Sequence, residues 1–132
     1  MALWPVLADD QMSPESRATI DEIRAVRGSD YVNDIWRVLA NDPPLLARTW
    51  AQTRATMAPG ALDPLTKELV YLAVSITNGC EYCINTHTAA AQAKGMTRAQ
   101  HAELLAVIGL ANQLNRTVNG LQVEVDAAYR KG

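Results

Sequence analysis

The sequence has little of several features that mark particular protein classes. It contains only 6 prolines and 7 glycines among 132 residues, and 48% of its residues are hydrophobic. This composition excludes a disordered, collagen-like or low-complexity chain. The charges nearly cancel, with 12 Lys and Arg against 14 Asp and Glu, so we expect neither nucleic acid nor a membrane as a partner. Because domains typically have about 100–200 residues, we expect one domain over residues 1–132.

Two further absences concern the location of the protein. No uninterrupted apolar stretch reaches the roughly 18 residues that a transmembrane helix needs, and the N-terminal segment lacks the positively charged region of a secretory signal. Only 2 cysteines are present, which is too few for the disulfide scaffold of a small secreted protein. We therefore expect a cytoplasmic protein, and its single Cys-x-x-Cys pair is the first place to look for function.

What the sequence does contain is a repeated set of signals that begin and end helices. A Ser or Asp followed by Pro is typical of a helix N-cap and its first helical position, and such pairs stand at residues 13–14, 42–43 and 63–64. Thr97 and Gln100 match the capping box of a further helix. Because the alternation typical of strands is almost absent, we predict an all-α single domain of about six helices, the second beginning near Asp30.

The spacing of apolar residues predicts which helix faces form the core. The predicted stripe is Leu65, Leu69, Leu72, Ala73 and Ile76 in the fourth helix, and Leu104, Leu105, Ile108, Ala111 and Leu114 in the sixth. We place Trp36 and Trp50 in the core and leave Trp4 unassigned. Residues 121–126 alternate with period two, but one short segment cannot form a sheet alone. We interpret them as an extended tail that docks on the domain or on a neighbour.

The chemistry of the chain centres on Cys80, Cys83 and His87, in a fifth helix predicted from about Cys80 to Lys94. Their spacing puts the three side chains on one helical face, with neighbouring Cβ atoms about 5–6 Å apart. A disulfide prefers roughly 3.5–4.5 Å between Cβ atoms, so a Cys80–Cys83 bridge requires a modest local distortion and is easily reduced. This favours reversible redox cycling over a permanent structural bridge.

Two features of the sequence favour ionisation of a thiol, whose ordinary pKa is about 8.5. The helix dipole stabilises a thiolate in the first turn, and this favours Cys80. His87, one turn after Cys83, can act as a base for that thiol or as its charged partner. We give more weight to the histidine, because it supplies a path for the proton as well as an electric field.

Other interpretations of these residues stay open. The cysteines can be ordinary core residues, since free Cys is often buried. A zinc ion needs four ligands, and the chain offers Cys80, Cys83, His87 and, as a fourth candidate, His101, unless subunits share ligands. Glu68 lies at the rim of the fourth helix's stripe, where a carboxylate is usually solvated. If it is partly buried its pKa rises and it can pass protons, but spacing alone does not bring it to the cysteines.

Together these residues resemble a known signature. In this sequence Glu68 is followed by eleven residues, then Cys80-x-x-Cys83, then three residues and His87. This pattern resembles the signature of the alkyl hydroperoxidase D-like proteins of the carboxymuconolactone decarboxylase superfamily. The close match spans residues 65–98, with looser helical similarity outside it. Decarboxylase members of the superfamily generally lack the cysteine pair, which disfavours that activity here.

The resemblance implies an all-helical fold that assembles as a homotrimer or homohexamer, and a cofactor-free thiol peroxidase that reduces alkyl hydroperoxides or hydrogen peroxide. Cys83 would be the attacking thiolate, Cys80 the resolving thiol, and His87 and Glu68 a proton relay. An external dithiol, a lipoyl group or a thioredoxin-like protein, would restore the pair. The founding members carry a histidine where this chain has Tyr82, and a tyrosine, with a pKa of about 10, cannot act as a base near neutral pH.

Two other functions would use the same residues. One is a protein-disulfide or lipoyl-linked reductase, for which the disulfide is the substrate and peroxide is incidental. The other is a non-enzymatic helical oligomer that uses the cysteines as a redox sensor or stabilising clip. Turnover with an insulin-type disulfide would indicate the first, and stoichiometric oxidation without turnover the second.

Overall fold

The computed structural model describes residues 1–130 and contains six α-helices. They are α1 (Pro14–Arg27), α2 (Asp34–Leu39), α3 (Pro43–Met57), α4 (Pro64–Asn78), α5 (Glu81–Ala93) and α6 (Arg98–Gly120). Short 3-10 turns lie at Asp9–Gln11 and Ala127–Tyr129, and residues 1–130 contain no strand. The prediction of an all-α fold with about six helices is confirmed.

Four of the helices, α1, α3, α4 and α6, begin where the local sequence signals placed them. Ser13, Asp42 and Asp63 each accept a backbone N–H three residues ahead, at 3.2, 3.0 and 3.0 Å, and a proline follows each of them. Thr97 and Gln100 form a reciprocal capping box at the start of α6. These bonds satisfy N–H groups that have no partner inside the helix, which is why short polar residues occupy these positions.

The described chain forms two compact units, of which the first is Met1–Ala58. Its buried core consists of Ile20, Ile23, Val32, Trp36, Ala40, Leu46 and Trp50. The two tryptophan rings meet edge to face with centroids 5.5 Å apart, so their predicted core position is confirmed. The second helix begins at Asp34 and not near Asp30, because the preceding extended residues carry Val32 into the core.

The second unit, Pro59–Gly132, contains α4 packed against α5 and α6. The predicted apolar stripe of α4 is only partly correct: Leu72 is fully buried and its other members are half-buried. The most buried residues of α4 are Glu68, Leu72 and Ser75. The polar members Glu68 and Ser75 are buried because this face of α4 packs against α5. No helix within residues 1–130 is long and apolar enough to cross a bilayer.

The predicted core face of α6 is wrong for most of its members. Ile108 is buried and Leu104 is half-buried, but Leu105 is 46% and Leu114 51% exposed. The tail after α6 is extended and its apolar side chains are exposed, so it does not dock on its own unit. In both cases the apolar pattern is real, but nothing in the described chain covers it. Docking on a neighbour, the single-domain organisation and the cytoplasmic location stay predictions.

Candidate active site

The candidate residues lie on α4 and α5, which are joined by only two residues. Gly79 ends α4 in the left-handed region, at φ 68° and ψ 31°, a conformation that glycine adopts without steric cost. The next residue, Cys80, is already the N-cap of α5 and donates its N–H back to the Ser75 carbonyl at 3.0 Å. The helix therefore begins at Glu81, one residue later than predicted. This tight connection lays the start of α5 against the last turns of α4.

The two cysteines lie at the start of α5 and are joined by a backbone-to-sulfur hydrogen bond. Both cysteines are free and half-buried, and the Cys80 sulfur accepts the backbone N–H of Cys83 at 3.4 Å. A hydrogen bond from the Cys83 thiol, with backbone N–H groups of the first turn, lowers the pKa of Cys80. The same bond to Cys80, together with burial, raises the pKa of Cys83. Both directions favour ionisation of Cys80 over Cys83, as the helix-dipole argument also does.

Glu68 occupies a buried position between two donors. Its side chain accepts from His87 Nδ1 at 2.7 Å and from Lys94 Nζ at 2.9 Å, and the residue is only 4% exposed. Burial alone would raise the pKa of Glu68, but the hydrogen bonds from His87 and Lys94 outweigh it, so the pKa is lowered. Glu68 is thus a fixed carboxylate near neutral pH. The rise in pKa expected from burial alone is wrong, because spacing did not reveal the two donors.

The ionised Glu68 determines which nitrogen of His87 is available for chemistry. A carboxylate can only accept hydrogen bonds, so the Nδ1 atom facing it must carry a proton. The other ring nitrogen, Nε2, is then the one that can accept or release a proton. The structure brings Glu68 to His87 across 19 positions of sequence, a contact that sequence spacing could not supply.

Three residues of this site were not among the predicted site residues. The Tyr71 ring stacks on the His87 imidazole, with centroids 3.6 Å apart and planes at 20°. The Ser75 hydroxyl donates to the Tyr71 carbonyl at 2.9 Å, and Tyr71 and Ser75 both act to lower the pKa of Cys83, against the stronger effects that raise it. Lys94 is the third, as the second donor to Glu68. The only available signal was spacing, since Tyr71 and Ser75 lie three and seven residues after Glu68 on one helical face.

The described residues offer little for a metal ion. Within residues 1–130, no three His, Cys, Asp or Glu side chains are grouped so that they could hold one. The two cysteines and His87 lie along α5 and its N-cap, but the Nδ1 atom of His87 faces Glu68 and not the sulfurs. The arrangement therefore gives the zinc alternative no support and leaves proton and thiol chemistry.

Comparison with known proteins agrees with this geometry. The carboxymuconolactone decarboxylase family model matches residues 44–124. This chain is similar to the crystal structure of the alkylhydroperoxidase AhpD core from Rhodospirillum rubrum, with 59% sequence identity. The alignment covers 98% of this chain and 97% of that chain, and the two superimpose with a TM-score of 0.94. The described chain therefore has the fold of that alkylhydroperoxidase core, as the resemblance of residues 65–98 implied.

Two curated relatives are similar over a shorter stretch. An uncharacterized protein of Cupriavidus necator is 37% identical over 54 residues, which are 41% of this chain and 48% of that protein. Uncharacterized protein 4 in the cox locus of Paracoccus denitrificans is 37% identical over 55 residues, 42% of this chain and 50% of its own length. The chain thus spans about half the length of these two relatives. With the family model matching more than half of its residues, the chain belongs to the carboxymuconolactone decarboxylase family.

Proposed function

We propose that this protein is a thiol peroxidase that reduces alkyl hydroperoxides or hydrogen peroxide through Cys80 and Cys83. The observation that carries the proposal is a pair of free cysteines, joined by the Cys83 backbone N–H that the Cys80 sulfur accepts, together with a histidine that a buried carboxylate orients. Such a set supplies a nucleophile, a resolving thiol and a proton-transfer group within two adjacent helices. The likeness to an alkylhydroperoxidase core at 59% identity supports the same reaction.

The proposed cycle begins with a proton shift inside the thiol pair. The pKa of Cys80 is lowered and that of Cys83 is raised, so in this step the Cys83 proton passes to the Cys80 thiolate and the charge moves to Cys83. The Cys83 thiolate attacks the terminal oxygen of ROOH, the O–O bond breaks, and RO⁻ leaves and is protonated to the alcohol. The balance of this step requires one proton, which Cys80 or His87 Nε2 supplies.

The second half of the cycle forms and then reduces a disulfide. The Cys80 thiolate attacks the sulfenic sulfur of Cys83, the S–O bond breaks, and the hydroxide leaves as water after taking up a proton from solvent. The peroxide has then gained two electrons, and the two thiols have become one disulfide. An external dithiol, lipoyl or thioredoxin-like, returns the two electrons by thiol–disulfide exchange. Glu68 keeps His87 oriented throughout and does not itself exchange the proton, because its pKa is lowered.

The first test measures the chemistry of the pair directly. Reduced protein receives one equivalent of cumene hydroperoxide, and free thiols and intact mass are followed. We expect loss of both thiols and a mass two hydrogens lighter, because one disulfide forms. Cys83→Ser should consume no peroxide, whereas Cys80→Ser should accumulate a sulfenic acid that dimedone traps. If Cys83→Ser keeps full activity, the assigned roles of the two cysteines are wrong.

The chain offers a matched control for the histidine, because it contains only 2 of them. His87→Gln should slow peroxide consumption by about 10²-fold, the lower end of what general acid–base groups contribute. His101→Gln, on α6, should leave the rate unchanged. Equal rates in the two variants would remove His87 from the mechanism. Turnover with an insulin-type disulfide but not with peroxide would instead indicate a disulfide reductase, and stoichiometric oxidation alone would indicate a redox sensor.

We also propose that the protein is a homo-oligomer, a trimer or hexamer. The support is a stripe of exposed apolar side chains that recur every three or four residues along one face of α6, namely Val107, Leu110, Leu114 and Val118. Contiguous exposed apolar surface is typical of interaction sites. Sedimentation analysis of the wild type should show the oligomer, and Leu110→Glu should weaken it. The neighbouring polar change Gln113→Glu serves as the control, and a monomeric wild type would contradict the proposal.

A further inference from the structure

Lys94 lies at the end of α5, two helical turns after His87, and its ammonium group contacts the same buried carboxylate. Glu68 has one partner at each oxygen: Oε2 lies 2.7 Å from His87 Nδ1, and Oε1 accepts from Lys94 Nζ at 2.9 Å. Residues seven apart share one face of an α-helix and are separated by about 10.5 Å along its axis. Helical side chains lean toward the N-terminus, so the long lysine extends back toward the histidine. One helix therefore holds the carboxylate at two points.

The backbone at the end of α5 fixes the position from which the lysine side chain extends. The Lys94 N–H donates to the carbonyls of Ala90 and Ala91 at 3.2 and 3.1 Å. Gly95 follows in the left-handed region at φ 95°, and the buried Met96 donates its N–H to the Ala91 carbonyl at 2.9 Å. These bonds close the end of the helix. The ion pair thus extends from an ordered backbone and not from a free loop.

The difference in exposure explains why a cation is needed beside Glu68. The Glu68 side chain is 5% exposed and that of Lys94 is 38% exposed, so the carboxylate is removed from water while the ammonium group still contacts it. A buried negative charge is costly without a partner, and burial by itself raises the pKa of Glu68. The neutral imidazole of His87 supplies a hydrogen bond but no net charge. Lys94 supplies both, and together the two donors lower the pKa of Glu68 below its ordinary value.

The titratable groups around Glu68 come from its own helix and from α5. His87 and Lys94 bond to it from α5, and Tyr71, on α4, interacts with its charge. The helix α6 also packs against α4, but within residues 1–130 no hydrogen bond or ion pair joins α6 to this carboxylate. The positive charge bonded to Glu68 therefore comes from Lys94.

Glu68 and His87 are close enough to share protons, so they titrate as a pair. With one proton, on Nδ1, the pair has an ionised carboxylate and a free Nε2 that can accept a proton. A second proton occupies Nε2 in either of two ways. The imidazole becomes a cation, or the carboxyl is protonated and donates to Nδ1, which moves the ring proton to Nε2. A cation beside the carboxylate opposes the second proton in both cases.

We propose that Lys94 is a positioning residue of the thiol site: bonded to the buried Glu68, its ammonium group holds the Glu68–His87 pair at one proton and so keeps His87 Nε2 free to accept a proton from a thiol. Lys94 acts through Glu68 and takes no proton in the cycle. The catalytic part of the inference rests on the proposed function, but the effect of Lys94 on the pair does not depend on peroxide chemistry.

The first experiment follows the protons of the pair without peroxide. Nitrogen-15 NMR of the His87 imidazole distinguishes a protonated Nε2 from a free one, and the His87→Gln variant identifies its signals. Lys94→Met keeps a long unbranched side chain and removes the charge. We expect the pH midpoint at which Nε2 takes up its proton to rise by about one unit, the lower end of the effect of a neighbouring charge, because Lys94 is 38% exposed. Lys94→Arg keeps the charge and should restore most of the wild-type midpoint.

Lys67→Met is the matched control, because it removes an equal charge from the residue that precedes Glu68. The Lys67 Nζ lies close to Gly60, so this change should move the midpoint much less. Lys94→Gln, a second neutral variant that keeps a hydrogen-bond donor, should show the same rise as Lys94→Met. An unchanged midpoint in both neutral variants of Lys94, or an equal rise in Lys94→Met and Lys67→Met, overturns the proposal.

Peroxide consumption then tests the positioning role. Below the wild-type midpoint, the rate of Lys94→Met should fall about tenfold, which corresponds to the one-unit shift, and at high pH it should approach the wild-type rate because Nε2 is free in both proteins. A rate equal to that of the wild type at every pH, or lowered equally at every pH as by a structural defect, overturns this role. A wild type that consumes no peroxide overturns the proposed function, and with it the catalytic part of this inference. The NMR midpoint still decides whether Lys94 controls the protons of the pair.

Discussion

Replacing Glu68 by glutamine tests the charge arrangement at the centre of the site. Glu68 is 4% exposed and accepts from His87 and Lys94 at 2.7 and 2.9 Å. Glutamine has nearly the same shape but only one accepting oxygen and no charge. One charge-assisted hydrogen bond, worth about 1.5–3 kcal/mol, is therefore lost, and the other becomes a weaker neutral one. Lys94 is 38% exposed, so water compensates for part of its loss. We expect the free energy of unfolding to fall by about 2–3 kcal/mol at pH 7.

The same change should alter how stability depends on pH. The pKa of Glu68 is lowered from its ordinary value of 4.5, so the folded state binds this proton less readily than the unfolded state. The stability that Glu68 contributes is therefore complete above the unfolded-state pKa and is lost as the pH falls through the lower folded-state value. The difference between the wild type and Glu68→Gln should accordingly be large at pH 7 and shrink below pH 4.5.

Urea unfolding, followed by far-ultraviolet circular dichroism at pH 7 and at several lower pH values, measures both effects. Glu103→Gln, an exposed carboxyl on α6, is the control, and it should change stability by less than about 0.5 kcal/mol. A loss in Glu68→Gln that is equal at all pH values would show that the carboxylate is not charged in the folded chain. No loss at pH 7 would show that the contacts with His87 and Lys94 contribute nothing to stability. Either result would refute the reasoning about this site.

Three further predictions concern the stability of the two units. Leu46→Ala should lower the free energy of unfolding by about 2–5 kcal/mol in urea titrations, because it leaves a cavity at a fully buried position of the first unit. Gly79→Ala should lower the thermal midpoint by an amount equivalent to about 1 kcal/mol, since φ is 68° there and strain is the only cost, no atom lying within 4 Å of an added Cβ. Asp9→Asn should cost about 1 kcal/mol at low salt, because Asp9 accepts from both Arg24 and Arg37. Because those arginines lower the Asp9 pKa against the effect of burial, this last difference should fade as the pH falls below 3.8.

The parts of the fold that were predictable depend on neighbours close in sequence. The N-cap at Asp63 needs only a backbone N–H three residues ahead, and the proline that follows it makes the start of the helix easier to locate. The pair Cys80 and Cys83 is likewise local, since one helical turn brings the two together. The starts of α1, α3, α4 and α6 and the proximity of Cys80 to Cys83 could therefore be inferred directly from the sequence.

The rest depends on distances that periodicity does not contain. Glu68 meets His87 and Lys94 only because Gly79 turns the chain back on itself, and the angle between the helices is not encoded in any spacing. A hydrophobic period likewise shows that a helix such as α6 has an apolar face, but not what covers that face. Leu105 and Leu114 were therefore assigned to a core that the described chain does not form around them.

The Cys80 sulfur is at once the N-cap of α5 and one half of the thiol pair, and this links helix stability to electron transfer. In the reduced chain it accepts the Cys83 N–H, and its pKa is lowered, which favours a thiolate there. A disulfide sulfur is uncharged and a poorer acceptor, so oxidation weakens the cap. Whatever strengthens the cap in the reduced chain therefore raises the reduction potential and makes the disulfide a stronger oxidant. In the cycle proposed above, the first turn of α5 contributes to the driving force for reduction of the disulfide.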